Sequence, residues 1–573
     1  MADNFYTDNP DIKFHLETLE LEDVLRLREE NYAQAKEFTD APVSYEDAID
    51  SFDKVLDMVG GICGDLIAPR AEDVDAEGAK LEDGVVSYAA GTQENLKNLT
   101  QAQLMGVMLP RQHGGLNMPV TTYTMMTEMV SRADASLQNL FGLQDIAETI
   151  SKYGTDEQKA RYLPRFANGE ADGAMALTEP EAGSDLQAVQ LKAHFDEQKN
   201  QWYLNGMKRF ITNGCAKVLL VLARSEEGTK DGRGLSMFIC ERGPGLIVRR
   251  IEDKLGIHGS PTCELQFNNV PAELCGQRRR GLSRYVMSLM NGARVAISAQ
   301  ALGIAEASYR EALDYARERE QFGTPIIKFP AVYDMVTRMK VNLAAARTFL
   351  YETTRYVDLR DAYEEANKHE EKPSTEARQL EKTYSRIAAT LTPLCKALTT
   401  ELSNQIAYDC IQVHGGTGYM RDFPAERLYR DARITNIYEG TTQLQFIAGI
   451  GGVMRRTLAP LMDELSHLPY EGKLRRLASS VDVAREKLQR AVKYVEHARD
   501  SDYHDLMTGR LCQMETKVFA AYLLLRDALK DKDREAIAEQ YILAAVPEVD
   551  LHHDFVTGGN VTMIDNHESI LAI

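Results

Sequence analysis

Apolar positions follow two rhythms along this chain. Through most of it they recur three and four residues apart, as at Val332, Met335, Val336 and Met339, the spacing of one helix face. Between about 173 and 282 the rhythm shortens. Runs of apolar and β-branched residues (VQLKAHF, WYLNGM, RFIT, VLLVLAR, LSMFICER, LIVRRI, CELQFNNV) are parted there by polar turns such as DEQKNQ and EEGTKDGRG. Short runs at even spacing predict strands, and together they predict a small β barrel.

Five segments follow from these rhythms. Residues 1–45 form a charged, helix-prone amino-terminal extension carrying ETLELEDVLRLREENYAQ, and 46–172 form an α domain broken by the loop PRQHGGLNMP at 110–119. The β-barrel domain spans 173–282 and a bundle of long helices spans 283–452, including an Ala-rich stretch from Ala293 to about Arg319. Residues 453–573, with AAYLLLRDAL among them, form a carboxy-terminal helical extension. The charged stretch DAYEEANKHEEKPSTEAR at 361–378 reads as a solvated loop inside the bundle. The predicted fold class is mainly α with a central β barrel.

Composition narrows the functions open to such a fold. A chain of 573 residues, 44% of them hydrophobic, exceeds one core at about 100–200 residues per domain. Its net charge of -20 argues against nucleic acid, which needs clustered Lys and Arg, and an anionic substrate would need local basic residues. Apolar runs such as VLLVLA at 218–223 fall short of the ~20 residues of a membrane helix, so no membrane span is expected. The start MADNFYTDNPD resembles neither a secretory signal nor an Arg-rich transit peptide. The eight cysteines are scattered, with no CxxC or metal-like pair, which suits reduced thiols and a cytoplasmic protein. The His552–His553 pair has no further ligand pattern, so no metal is expected.

Seven motifs carry the chemistry: MALTEPEAGSDLQAV (175–189), GMKRFITNG (206–214), KLGIHGSPTCEL (254–265), REREQFGTPI (317–326), QVHGGTGY (412–419), LYRDARI (428–434) and YEGTTQLQ (438–445). Singly each has a plain reading: TEPEAGSD as an N-cap and turn, Arg319 as a surface ion-pair residue, Glu439 as a solvated turn residue. Collectively, over about 45–452, they resemble the acyl-CoA dehydrogenase family, whose members hold FAD between the β barrel and the helical bundle. The segment after 453 resembles the added domain of longer members, including those acting on methylthiopropionyl-CoA and on very long acyl chains.

The resemblance implies a set of roles. Leu177 and Thr178 meet the flavin ring, the Gly183 turn admits close approach, and Ser184 lies where FAD and the CoA chain pass. Phe210 stacks on the isoalloxazine edge, with Ile211 and Thr212 beside it, where many relatives have Trp. Arg319, with Gln321 and Phe322, reaches the FAD of the neighbouring subunit, and Gln412, Gly415 and Gly416 receive its adenosine half. Thr441 and Gln443 complete the cofactor set. Asn291 and Arg294 touch the CoA pantetheine, although relatives often have Asp in place of Asn291, and a Gln where Pro330 stands. His258 takes a positional role, and Arg278, Arg279 and Arg280 are solvated charge or CoA-phosphate contacts.

Glu439 occupies the family's base position. It would take the α proton while flavin takes the β hydride, with Gly440 leaving room for the thioester and Tyr438 walling the acyl channel. Burial would raise its pKa, and its backbone amide would polarise the thioester carbonyl. Relatives with the base on the first bundle helix carry it where this chain has Ala293, so no competing base exists. The expected function is FAD-dependent dehydrogenation of an acyl-CoA to a trans-2-enoyl-CoA, with electrons passing to an electron-transfer flavoprotein. The alternatives are an acyl-CoA oxidase or a fold-sharing flavoprotein without acyl-CoA chemistry. A homodimer is expected, because in longer relatives the extension covers the face that pairs dimers. In NLFGLQDIAET (139–149), Gln144 and Asp145 suit a short or polar acyl group, or face solvent.

Overall fold

The structure is a computed structural model describing residues 3–369, 373–498 and 500–573. The chain divides into two compact units, one of Met1–Leu16, Val24–Ala307 and Arg427–Ile434, the other of Glu17–Asp23, Ser308–Glu426 and Thr435–Ile573.

The first unit contains a hairpin of β1 (Lys80–Glu82) and β2 (Val85–Ser87), which apolar rhythm did not foretell in an α region. Its main sheet has seven strands: β3 (Gly173–Ala176), β4 (Lys192–Asp196), β5 (Gln201–Thr212), β6 (Val218–Arg224), β7 (Leu235–Glu241), β8 (Leu246–Ile251) and β9 (Thr262–Cys275). WYLNGM and RFIT, expected as separate strands, are one strand, β5. A register shift against β9 between Lys208 and Ile211 allows Phe210 a φ of 60° without ending the strand. Pairing runs β3-β6-β4-β5-β9-β7, β7 also pairs with β6, and β8 pairs with β9. Between β4 and β6 the pairing is the single pair Lys192 and Arg224, a bridge of one residue where the expected barrel wants a ladder.

Strand β6 explains how this sheet is buried. Val218, Leu220 and Leu222 enter one hydrophobic core, with Ile146, Ile150, Leu163 and Phe166 of the helices Asp145–Tyr153 and Asp156–Ala167. Leu219, Val221 and Ala223 point into a second core with Leu204, Phe238, Leu265 and Phe267. Side chains alternate along a strand, so an unbroken apolar run is what a strand covered on both faces requires. Helix Asp156–Ala167 starts at a reciprocal cap: Thr155 Oγ1 accepts from Gln158 N at 3.3 Å, and the Gln158 side chain accepts from Thr155 N at 3.0 Å.

The second unit is built on two helices of 40 residues, Pro330–His369 and Thr375–His414. They overturn the reading of 361–378 as a loop. Its Glu, Lys and Ala residues are good helix formers, Lys368 pairs with Glu364 one turn away at 3.2 Å, and Ser374 caps the next helix by accepting from Ala377 N at 3.0 Å. Residues 370–372 of that stretch lie outside the described residues. Pro330 is the first residue of its helix, where a missing N–H costs nothing.

The carboxy-terminal helices belong to this same unit. Helix Ser501–Lys530 meets helix Pro330–His369 through Phe519 on Phe349, edge to face at 5.6 Å, and Thr348 Oγ1 donates to Asp527 at 2.6 Å. Arg526 pairs with Glu352 at 2.6 Å, as does Arg355. Burial opposes ionisation of Glu352, yet the two guanidinium groups hold it well below the usual carboxylate range.

Glu515, on the same helix, has no such help. It is buried beside a cavity of about 20 Å³ lined also by Met462, Leu488 and Val492, and burial pushes its pKa up to about 8. Arg456 and Arg485 line that cavity but are engaged with Glu496 and Asp463. A carboxyl with a raised folded pKa stabilises nothing once ionised: its contribution is intact below the unfolded pKa and is lost as pH climbs to the folded value. Thermal melts of Glu515→Gln should therefore match wild type near pH 4.5 and exceed it increasingly up to pH 8 or so, then stay parallel. A pH-independent difference would show that Glu515 is already ionised in the fold.

Candidate active site

In the first unit the TEPEAGSD loop is tied to strand β5 by a buried charge. Lys208 is fully buried, and its ammonium donates to the Leu177 carbonyl at 2.7 Å and to Glu179 Oε1 at 2.8 Å. Glu179 also accepts from the backbone N–H groups of Gln190 at 2.6 Å and Leu191 at 3.0 Å. Burial draws the Lys208 pKa down to about 8 against the pull of Glu179, which keeps the ammonium charged at neutral pH. Arg209 N donates to Thr178 O at 2.9 Å. Leu177 and Thr178 thus lie alongside Lys208–Thr212.

The expected residues of this unit fall into two groups. Leu177 and Ile211 are buried, Thr178 and Thr212 are half-buried, and Gly183 and Ser184 are exposed on the same loop. The Phe210 ring is 53% exposed, with the Arg209 guanidinium 4.7 Å from its centroid. A bulky residue at positive φ is strained, and here the strain turns an aromatic face outward at the bulge. The second group lies on helix Met287–Glu318, where Arg294 Nη1 donates to Asn291 Oδ1 at 3.0 Å. A Cβ on Gly292, between them, would come within 3.3 Å of the Asp145 carboxylate. Gln144 and Asp145 are 6% and 8% exposed, which removes the reading that they face solvent. Both polar atoms of the Gln144 amide are buried without a hydrogen-bond partner.

His258, expected in a positional role, is hydrogen-bonded at both ring nitrogens. Its Nδ1 sits 2.8 Å from Asp75, its Nε2 sits 2.8 Å from the Lys254 carbonyl, and Arg430 grips Asp75 at 2.6 Å. Arg278 pairs with Glu226 at 2.9 Å and lies over the Trp202 ring at 5.3 Å.

In the second unit Glu439 stands on a sharply turned backbone. Glu439 has φ 54° and Gly440 φ 94°, two successive left-handed residues. Lys396, fully buried on helix Thr375–His414, donates to Gly440 O at 2.7 Å. The buried Gln445 amide donates to Glu439 O at 3.1 Å and to Gly440 O at 2.8 Å. Asn436 Nδ2 donates to Glu401 at 3.1 Å, the Thr442 hydroxyl donates to the same carboxylate, and Thr441 caps helix Thr442–Met454. A side chain at 440 would displace the Gln445 amide, 2.7 Å away, and the left-handed φ there favours glycine beside the carboxylate. Tyr438 and Glu439 are half-buried, and Gln443 is exposed.

The other expected residues of this unit are on its surface. Arg319 and Gln321 are exposed in a tight hairpin of β10 (Glu320–Gln321) and β11 (Thr324–Pro325), whose turn carries Phe322, 96% exposed. Gln412, Gly415 and Gly416 are exposed next to Tyr419 and Met420. Tyr315 stacks on His414 at 4.2 Å and its hydroxyl lies 3.0 Å from that of Thr417, joining the helix that ends at Glu318 to the 412–420 segment.

Comparison with known proteins sets these parts in order. Acyl-CoA dehydrogenase N-terminal, middle and C-terminal domains match residues 50–170, 174–270 and 280–449, and a further acyl-CoA dehydrogenase C-terminal domain matches 456–563. Acryloyl-CoA reductase (NADH) of Anaerotignum propionicum is 36% identical over 63% of this chain and 87% of its own length. The chain belongs to the acyl-CoA dehydrogenase family. Within the family, 3-methylmercaptopropionyl-CoA dehydrogenase of Ruegeria pomeroyi is 34% identical over 69% of each chain. The structure of an acyl-CoA dehydrogenase of Bacillus anthracis complexed with FAD shares the fold over 88% of each chain, with a TM-score of 0.75 at 22% identity.

The sequence reading missed the groups that hold both loops: Lys208 with Glu179 in one unit, Lys396 and Gln445 in the other. The only signal was placement inside motifs, since Lys208 stands in GMKRFITNG and Gln445 ends YEGTTQLQ. Lys208→Met would leave the Glu179 carboxylate buried with its ammonium gone, at a cost of about 3–5 kcal/mol. Denaturant unfolding should show that loss, and Lys208→Met with Glu179→Gln should recover much of it. Equal stability of the double and single variants would contradict the pairing.

Proposed function

We propose that this protein is an FAD-dependent acyl-CoA dehydrogenase converting an acyl-CoA to a trans-2-enoyl-CoA, with Glu439 as the base for the α proton. The observation that carries the reading is the clamped left-handed turn at Glu439-Gly440, which holds a carboxylate beside a residue that has no side chain. A base must stay within hydrogen-bond reach of the proton it removes, and a turn fixed by three hydrogen bonds from buried side chains meets that need.

The residues present fit FAD. A half-exposed Phe210 ring, the apolar Leu177 and Ile211 and the hydroxyls of Thr178, Ser184 and Thr212 offer the mixture that a flat polar ring and a phosphate require. Bound there, beside the strands read as the barrel, FAD supplies the acceptor for the β hydride. Thr441 and Gln443 complete the set. Arg319, Gln321, Phe322, Gln412, Gly415 and Gly416, exposed on one subunit, would meet the cofactor of a second copy, which makes the working form a homodimer. Asn291 and Arg294 hold the CoA chain, and Tyr438 and Gly440 border the acyl group. The buried Gln144 and Asp145 favour a short acyl group that tolerates polar atoms, in keeping with the Ruegeria relative's named substrate. An electron-transfer flavoprotein is the proposed oxidant of the reduced enzyme, and the cytoplasm its place of work. No helix among the described residues is long and apolar enough to cross a membrane.

Anaerobic titration of the purified protein with straight-chain, branched and thioether acyl-CoAs, followed by flavin absorbance, tests the proposal. Short acyl-CoAs should bleach the flavin, and Glu439→Gln should keep the flavin while slowing bleaching at least ~100-fold. A flavin that no acyl-CoA bleaches would end the dehydrogenase reading.

A further inference from the structure

Away from Glu439, the first unit holds a pair of cysteines at the end of strand β5. Ladder pairing sets Ile211 against Cys263 of β9, and Asn213 N donates to Pro261 O at 2.8 Å, so the turn after β5 folds over Cys263. The approach is close: a Cβ built on Gly214 would lie 2.6 Å from Cys263 Cβ and 3.3 Å from its Sγ. Cys215 follows at once, half-buried where Cys263 is fully buried.

The surroundings of Cys215 are polar in a way no other cysteine's are shown to be. Its Sγ donates to Asn213 Oδ1 at 3.4 Å and lies 3.6 Å from the Tyr88 hydroxyl. Tyr88 itself donates to Asn213 Oδ1 at 2.5 Å, and Asn213 Nδ2 is held by Asp172 at 3.0 Å and the Gly173 carbonyl at 3.1 Å. The charges facing the thiol are Asp172, which opposes ionisation, and Arg242, which favours it and also binds the carbonyls of Gly214 and Ala216. The neighbouring Cys263, then Tyr88, draw the Cys215 thiol below its ordinary value, despite burial. Cys263 moves the opposite way, raised by its neighbour Cys215 and by burial. Burial pushes up Cys63, Cys240, Cys275, Cys410 and Cys512.

We propose that Cys215 and Cys263 are a peroxide-reactive dithiol, with Cys215 the attacking sulfur and Cys263 the resolving one. A partly exposed cysteine beside a second thiol is the arrangement that captures hydroperoxides. In the first step the Cys215 thiolate attacks the terminal oxygen of a hydroperoxide, the O–O bond breaks, and Cys215 becomes a sulfenic acid as the alcohol or water leaves. In the second the Cys263 sulfur attacks Cys215, the S–O bond breaks, and the disulfide forms with release of water. Two thiols are oxidised by two electrons and one hydroperoxide is reduced. The disulfide would tie the 213–216 turn to β9 beside Phe210, Ile211 and Thr212, making the site a means for oxidant to reach the motif carrying those residues.

The test treats the whole purified protein with a few equivalents of hydrogen peroxide, alkylates free thiols and maps tryptic peptides without reduction. The expected product joins peptide 210–217 to peptide 255–278 through Cys215 and Cys263, with fragment spectra separating Cys263 from Cys275, and dithiothreitol reverses it. Cys263→Ser should leave a sulfenic acid at Cys215 that dimedone tags, Cys215→Ser should abolish the linkage, and Tyr88→Phe should slow it several-fold. Free Cys215 after other thiols have oxidised, or dimedone on a different cysteine, would overturn the proposal. Should Cys263→Ser fail to fold, the wild-type map decides alone.

Discussion

An ammonium group removed from water must be answered by oxygen, and in this protein the requirement is met by loop backbone. Lys208 and Lys396 are among the largest fully buried side chains, one in each unit. Each gives a hydrogen bond of 2.7 Å to a loop carbonyl, Lys208 to Leu177 and Lys396 to Gly440. A charge-assisted bond in a dry interior is strong and directional, and losing it leaves an uncompensated charge. The two loops richest in candidate chemistry are thereby positioned from within by helix and sheet. Rigid elements place them more finely than loop sequence alone would.

That fixation permits backbone conformations that a free loop would shed. Phe210 at φ 60° and Glu439 at φ 54° each occupy the left-handed region without the freedom of glycine. Such residues persist only where their surroundings over-determine them, and they gather at functional sites. Phe210 sits at a bulge in a strand paired with β9 on either side, and Glu439 is followed by a glycine whose carbonyl takes two hydrogen bonds. The strain is local and its restraint comes from packed neighbours.

The legible part of this molecule was the part written as rhythm or as contiguous motif. The unbroken apolar run at 218–223 became a strand buried on both faces, and the clustered hydroxyl, glycine and aromatic residues of TEPEAGSD and KRFITNG came together as neighbours. Two kinds of information escaped. Helix propensity in a charged tract is invisible to apolar periodicity, which is why 361–378 looked like a loop although Lys368 pairs with Glu364 within a helix. Long-range pairing of polar residues leaves no local trace: nothing in LTPLCKALTT marks Lys396 as the partner of Gly440, 44 positions later.

Glu439 is proposed to take a proton from the α carbon, and that event can be watched without any net oxidation. An acyl-CoA analogue with sulfur at the β position can lose its α proton but has no β hydride to give. Incubated with the protein in D2O, it should gain α deuterium with wild type, and Glu439→Gln should slow the exchange at least ~100-fold while still binding the analogue. Exchange at the wild-type rate in Glu439→Gln would place the base elsewhere and contradict the account.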